Sequence, residues 1–496
     1  MGNQEIENEQ ARTTVEFEAL GARLSLPVTP LAEWTLTHGA HSTRGRAGAA
    51  AAAAGPAAPR AFRPEALVAK LGASNRMRNR VPHASVADLG VTTGFAPSRA
   101  GAPLEKSGAS PTLVLLTPTI IVEGSHRDDL SAAQNAGARI LEEGLEGKTL
   151  LGVDRVDQVA GIVALLQARN VGSVGPNFLR RFERTPLSVT TEPWAHARIR
   201  VAEAWEITRG SAEIRIAVLD EGVDTSHAAL AAAVVGERDF IGDNGDLGMP
   251  SGNDAHGTAC AGIVLSRGGP AAGVAPDCSL LAARIAMDDG SGGWVFDDFA
   301  TADAIDWAWR AGAAVISNSW GGGPPSDAIS RAFGRARTQG RGGKGSVVCI
   351  AAGNDQRPVH FPGSLPGYVT VGASNQADER KTRKSSDGEP WGSCYGPTLW
   401  LLAPGVSIHT TDITGAAGYE DGDYTETFNG TSAATPHVAG AAALMLSTNP
   451  GLSGSDVRAL LASTAAPIGG QAGPTDELGH GRLDVGAAVA AARAHP

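Results

Sequence analysis

From about Ala202 to the end of the chain, strand-like and helix-like segments alternate, and this constrains the fold more than any other feature. Ile214–Leu219 is a continuous apolar run, the pattern of a strand covered on both faces rather than one. The spacing predicts helices at Gly257–Leu265, Asp297–Ala311, Asp327–Gln339 and Ser432–Leu446. Between them it predicts strands at Ser279–Ile285, Val315–Asn318, Val347–Ala351 and Val369–Gly372. Such alternation implies a mostly parallel sheet with helices on both faces, whose site lies at the carboxyl ends of the strands. Composition agrees: 42% hydrophobic and 19% charged residues exclude a disordered or coiled-coil chain, and 64 glycines favour a loop-rich α/β protein over a helical bundle.

With 496 residues the chain is expected to hold two or three units. Residues 39–62 and most of 84–111 are rich in Ala, Gly, Pro and Arg and read as linkers. Pro64–Leu71 reads as a short helix and Thr13–Val28 as two short strands, with no function assigned to the first 111 residues. After Thr112 the pattern is strand (Leu113–Val122), helix (Leu130–Leu145), strand (Thr149–Val153), helix (Val156–Ala168) and strand (Val171–Val174), compatible with a small split-βαβ domain. The predicted division is a 1–111 extension, a 112–184 domain and a 185–496 α/β domain.

A net charge of −11 disfavours nucleic acid as a partner, and no run approaches the ~18 apolar residues of a membrane span. The first ten residues carry Glu5, Glu7 and Glu9 without Lys or Arg, unlike a secretory leader, and Ile6 breaks a myristoylation motif. A cytoplasmic location is the expectation. Cys260, Cys278, Cys349 and Cys394 form no C-x-x-C pair and read as buried, reduced thiols.

Three segments carry chemistry. Ile216–Asp220 is a buried strand ending on a carboxylate. Asp254-Ala-His256-Gly-Thr-Ala-Cys260 places a histidine where a helix begins. Gly430-Thr-Ser432-Ala-Ala-Thr-Pro-His437 places a serine at the start of a small-residue helix. Taken singly these are a turn residue, a structural histidine and an N-cap. Together they supply a nucleophile, a base and an orienting carboxylate for acyl transfer. A helix N-terminus beneath the serine adds a positive dipole end. A fourth segment, Val348–Asp355, ends a strand at Gly353-Asn354, whose carboxamide suits an oxyanion donor beside the Ser432 amide.

The order Asp–His–Ser, with H-G-T-x-x-A-G, A-A-G-N and G-T-S-A-A-T-P-H-V-A-G, resembles the subtilase (subtilisin/kexin) family of serine peptidases over about residues 190–490. Asp220-Glu221, Ser319-Trp320-Gly321 and the 339–346 segment resemble the kexin branch. The resemblance implies a seven-stranded parallel sheet and endopeptidase activity on polypeptides. The triad would be Asp220, His256 and Ser432, with Asn354 in the oxyanion hole. Substrate would lie extended between Ser317–Gly321, with Ser319, Trp320 and Gly321 as contacts, and the strand ending at Gly353. Glu221 is a candidate for reading a basic residue. It further implies that 112–184 is a ferredoxin-like, propeptide-type domain that inhibits as a partner of its own chain, with Arg180-Arg181 or Arg184 as self-cleavage points.

The departures bear on specificity and metal. Gly322-Gly-Pro-Pro325 and Gln356-Arg-Pro-Val359 replace the kexin branch's acidic pocket residues, so dibasic specificity does not carry over. His227-Ala-Ala-Leu230 lacks the aspartate of the family's common calcium site, and Ser266–Pro270 is a short loop. No cofactor is required on this reading. Calcium stays possible through Asp239, Asp243 and Asp246, though this acidic loop reads more readily as a solvated one. His227 and His437 match structural positions. Cys260, one helical turn after His256, is either a packing residue or a thiol whose mercury adduct blocks the imidazole. Two other functions were weighed. An α/β-hydrolase esterase needs G-x-S-x-G and the order Ser, acid, His, neither of which is present. A protease-fold binding protein without activity would label with no serine-directed reagent.

Overall fold

The computed structural model describes residues 13–19, 22–30, 63–81, 90–93, 113–183, 194–242, 247–268, 271–289 and 293–496. Linker 39–62, the 84–111 linker apart from Gly90–Thr93, Arg184, Asp243 and Asp246 lie outside the described residues; Gly90–Thr93, read as linker, is instead a strand paired on both sides. Strands are numbered in chain order: β1 Thr13–Ala19, β2 Ala22–Pro30, β3 Gly90–Thr93, β4 Leu113–Glu123, β5 Arg139–Glu143, β6 Lys148–Gly152, β7 Ser173–Glu183, β8 Arg215–Asp220, β9 Val234–Asp239, β10 Ser279–Arg284, β11 Met287–Asp288, β12 Gly293–Asp297, β13 Ala313–Asn318, β14 Val347–Ala351, β15 Val369–Ser374 and β16 Leu399–Pro404.

The second half of the chain forms the predicted parallel sheet, seven strands in the order β16-β15-β14-β13-β8-β10-β9. Side chains alternate across it. Ile216 and Val218 of β8 enter the core shared with the helices His256–Leu265, Thr431–Thr448 and Val485–Ala494. Ala217 and Leu219 enter the core on the other face, with the helices Asp298–Arg310 and Asp327–Gln339. Both faces are therefore buried, which is why these strands read as unbroken apolar runs. Two strands of this sheet escaped the sequence reading: the partly exposed β9 and the largely buried β16.

Residues 113–183 fold as β4, helix Arg127–Asn135, β5, β6, helix Val159–Gln167 and β7, the ferredoxin-like order. The predicted helix Leu130–Leu145 is corrected here. It stops at Asn135, Gly137 follows with φ +98°, and residues 139–143 pair antiparallel with β6. One face of this sheet covers its own two helices through Val114, Leu116, Ile120, Ile162 and Phe178. The opposite face, with Leu115, Ile121, Leu150 and Leu179, joins the core of helices Asp298–Arg310 and Asp327–Gln339.

Described parts of the first 111 residues are built into the rest. Strand β2 pairs with β3, and β3 with β4. Leu67, Leu71 and Met77 of the helices Pro64–Ala73 and Asn75–Arg80 are buried beside Trp294 and Phe299. At the other sheet edge β7 pairs antiparallel with β12, which belongs to the second half of the chain.

Candidate active site

Strand β8 lies between β10 and β13, near the middle of the sheet, and ends at Asp220. The Asp220 Oδ1 atom accepts from the Glu221 amide (2.9 Å) and from His256 Nδ1 (2.8 Å). With a carboxylate as partner, Nδ1 carries the ring proton and Nε2 is the basic nitrogen. His256 opens its helix, and its backbone N–H donates to the Glu221 carboxylate at 2.7 Å. Gly257 allows the approach, because a Cβ there would meet the Gly222 carbonyl oxygen at 2.1 Å and Asp220 Cβ at 2.9 Å. The imidazole is walled by Trp294 and Phe428, at ring distances of 5.6 and 5.4 Å. Burial disfavours its charged form, but the Asp220 carboxylate wins and holds the imidazole pKa well above the ordinary 6.5.

Ser432 is the second residue of the helix Thr431–Thr448. Pro436, four residues on, has no N–H to offer the Ser432 carbonyl. That carbonyl instead accepts from Ser319 Oγ at 3.1 Å and Cys260 Sγ at 3.6 Å. The proline thus ties the serine helix to the end of β13 and to the histidine helix. Cys260 Sγ is also 3.8 Å from His256 Nδ1. The Ser432 hydroxyl donates to the Ser319 carbonyl at 3.2 Å, and among the described residues it has no hydrogen bond to the imidazole. Beside it, Asn354 Oδ1 accepts from the Thr431 amide (2.8 Å) and hydroxyl (3.0 Å), turning the carboxamide oxygen toward Thr431 and the nitrogen away.

The structure therefore brings Asp220, His256, Ser432, Asn354 and Ser319 to one end of the sheet, with Gly353 N donating to Thr431 Oγ1 at 3.1 Å. Two predicted substrate contacts are placed differently. Glu221 is fully buried with its carboxylate on the histidine helix, and Trp320 is buried between Phe296 and Phe333. Neither presents a side chain to a cleft. Gly321 lies against the Phe361 carbonyl, where an added Cβ would sit 3.1 Å away.

Sequence reasoning missed β12. Its signal was the short Trp294-Val-Phe296 run, whose last residue, Asp297, was taken into the helix that starts at Asp298. The two arginines of 180–181 lie inside β7. Arg180 pairs with Asp298 and Arg181 with Asp289, both acids fully buried.

His227 and His437 serve structure. His227 Nδ1 accepts from the Ala229 amide and its Nε2 donates to the Asp423 carbonyl. Burial drops the His437 pKa to about 3. Asp239 binds Arg284 at 2.9 Å and caps the Ile241 and Gly242 amides, so it is committed within the fold. Beside Ala229, the Arg267 guanidinium donates to the Ala232, Pro276 and Cys278 carbonyls. One group with mixed metal-ligand chemistry lies next to Asn354: Asp355, His360 and Cys394, with ligand atoms within 4.8 Å of one another. All four cysteines are free and buried.

The profile of the subtilase family matches residues 211–481. Thermitase of Thermoactinomyces vulgaris is 36% identical over 277 residues, covering 55% of this chain and 88% of thermitase. Subtilisin DY of Bacillus licheniformis is 37% identical over 265 residues, 52% of this chain and 85% of that protein. A calcium-dependent protease of Trichormus variabilis is 33% identical over 341 residues, 60% of this chain and about half (48%) of the relative.

Proposed function

The chain belongs to the subtilase family of serine peptidases, and we propose that it cleaves polypeptides through an acyl-enzyme formed on Ser432 while its N-terminal unit holds it inactive. His256 Nε2 takes the Ser432 proton as Oγ attacks the peptide carbonyl, then gives it to the leaving amine. Asp220 fixes the tautomer and stabilises the imidazolium. The Ser432 amide and the Asn354 carboxamide hold the oxyanion. The Ser432 hydroxyl must first leave the Ser319 carbonyl, a torsional change about one bond. The observation that carries this reading is the 2.8 Å contact between Asp220 Oδ1 and His256 Nδ1, in a buried site that also holds the N-terminus of the serine helix.

Inhibition is inferred from β7. It adds as an antiparallel strand to β12, placing Phe182 opposite Trp294, whose ring lies 5.6 Å from that of His256. Backbone pairing of this kind is how an extended peptide is held regardless of sequence. Lys148, Arg180 and Arg181 then make buried ion pairs with Asp306, Asp298 and Asp289 across the contact. In this account the unit 113–183 occupies the cleft until the connection near residues 184–193 is cut.

Calcium dependence belongs, by name, to two relatives. The residues near Ala229 do not fit that ion. A guanidinium already satisfies the carbonyls there, and Ala229 supplies no carboxylate. No step is routed through calcium.

The test is mass spectrometry of the purified full chain. A new N-terminus between residues 184 and 194 should form in the wild type and be absent in Ser432→Ala. A Ser432→Ala protein that processes itself and digests casein at the wild-type rate would end the reading.

A further inference from the structure

The register of β7 on β12 sets Arg180 opposite Phe296 and Phe182 opposite Trp294. From that position the Arg180 side chain enters a closed pocket. Its Nε and Nη2 donate to the two oxygens of Asp298 at 2.5 and 3.0 Å, and Nη1 donates to the Gly322 carbonyl. The guanidinium carbon sits 5.1 Å from the Phe361 ring centroid. Gly323, at φ +77°, makes the room, since a Cβ there would come 2.8 Å from Nη1. Both charged groups are almost wholly buried, with side chains 1% and 0% exposed. Among the described residues, the Asp298 carboxylate accepts hydrogen bonds from Arg180 alone.

These contacts pose a problem once β7 leaves. Asp298 opens the helix Asp298–Arg310 directly after the cleft strand β12, so the backbone keeps its carboxylate in the cleft wall when β7 leaves. Water reaches the carboxylate while the cleft is open, but an occupant that covers it again without supplying a cation leaves a buried, unpaired charge, which is strongly disfavoured. The next occupant of the cleft is the substrate. A substrate arginine restores the bidentate pair, the bond to the Gly322 carbonyl and the contact with Phe361. Lysine, a point charge, cannot make the fork. A neutral side chain leaves the acid unpaired.

We propose that the pocket of Asp298, Gly322 and Phe361 is a charge-selective subsite, which makes the enzyme prefer substrates carrying arginine at the strand position opposite Phe296, two residues before the one opposite Trp294. The proposal rests on the reading of β7 as a strand held in the substrate cleft. If the pair were only interdomain glue, the same contacts would exist without any preference among substrates, so substrates decide.

The experiment uses the full chain, assayed once it has reached its maximal rate. Internally quenched peptides carry the sequence of residues 177–196 with Arg, citrulline, Lys, Leu or Glu at the Arg180 position. Citrulline keeps the shape of arginine and removes its charge. The expected kcat/KM for Arg exceeds that for citrulline and Leu by about 10- to 100-fold, the worth of a hydrogen bond to a charged group, with the difference mostly in KM. Asp298→Asn should bring the Arg-to-citrulline ratio near unity. If that variant does not fold, the wild-type series alone decides. Casein and all five peptides cleaved, the peptides at one common rate, overturns the subsite and leaves the peptidase reading intact. Absence of cleavage of any peptide and of casein overturns both.

Discussion

Lys148→Met isolates the force that holds the N-terminal unit in place. Lys148 sits on β6 with 1% of its surface exposed, and its ammonium bonds Asp306 and lies 3.1 Å from Asp303, both on the helix Asp298–Arg310. Methionine keeps most of the apolar stem and removes the charge. Removing one member of a buried pair costs about 3–5 kcal/mol when the other is left alone. Here the loss is smaller. Asp306 keeps two bonds from Arg335, at 2.9 and 2.8 Å, and Asp303 keeps the Leu145 amide at 2.9 Å. Burial already raises the Asp303 pKa against the pull of Lys148, so without the lysine the acid takes up a proton more readily. We expect about 2–3 kcal/mol, a weakening of docking by roughly 30- to 150-fold. Two assays read it: the lag before the full chain hydrolyses a fluorogenic peptide, and amide exchange over β7. The lag should shorten and the exchange of residues 173–183 accelerate by a similar factor, while exchange in β8, β13 and β14 is unchanged. An unaltered lag together with unaltered β7 exchange would refute the reasoning that these buried charges secure the unit.

The other predictions follow from the site. Asp220 raises the His256 pKa above 6.5, and the base must be neutral, so kcat/KM should climb with pH through an apparent value above 6.5; a midpoint below 6 counts against the assignment. By linkage, the same pair contributes stability that is full below 6.5 and lost as pH rises through the folded value, so Asp220→Asn should cost more stability at pH 6 than at pH 9, measured by denaturant titration. Asn354→Ala should lower kcat on the order of 10²–10³-fold with KM little changed, and an equal loss placed in KM would assign Asn354 to substrate binding instead. Because Arg267 fills the carbonyl cluster beside Ala229, EDTA should leave the Tm of the full chain within about 2 °C, whereas the loss of a bound ligand at 100 times its Kd would remove about 2.7 kcal/mol.

Much of this site was legible because its chemistry is local in sequence. Asp220 ends an apolar strand, His256 and Ser432 open helices, and Asn354 follows a strand, so each residue's element and end could be read from periodicity. What stayed hidden depends on contacts distant in sequence. The bond between Pro436 and the fate of the Ser432 carbonyl appears only when Ser319 and Cys260 are seen to take up that oxygen. Glu221 looked like a specificity residue by its neighbour, yet its carboxylate is spent on the His256 amide. The stretch 139–143 has only the adjacent Ile140 and Leu141 as apolar residues, too few to fix a period, and only pairing with β6 decides it. Strand β12 has meaning through β7, more than a hundred residues earlier.

The central claim is that Ser432 is the nucleophile. The most direct measurement is peptide mapping after reaction with a fluorophosphonate. The account predicts one adduct, on Ser432, formed by the folded chain and absent after denaturation. A folded, proteolytically active chain whose adduct sits on another residue would contradict it.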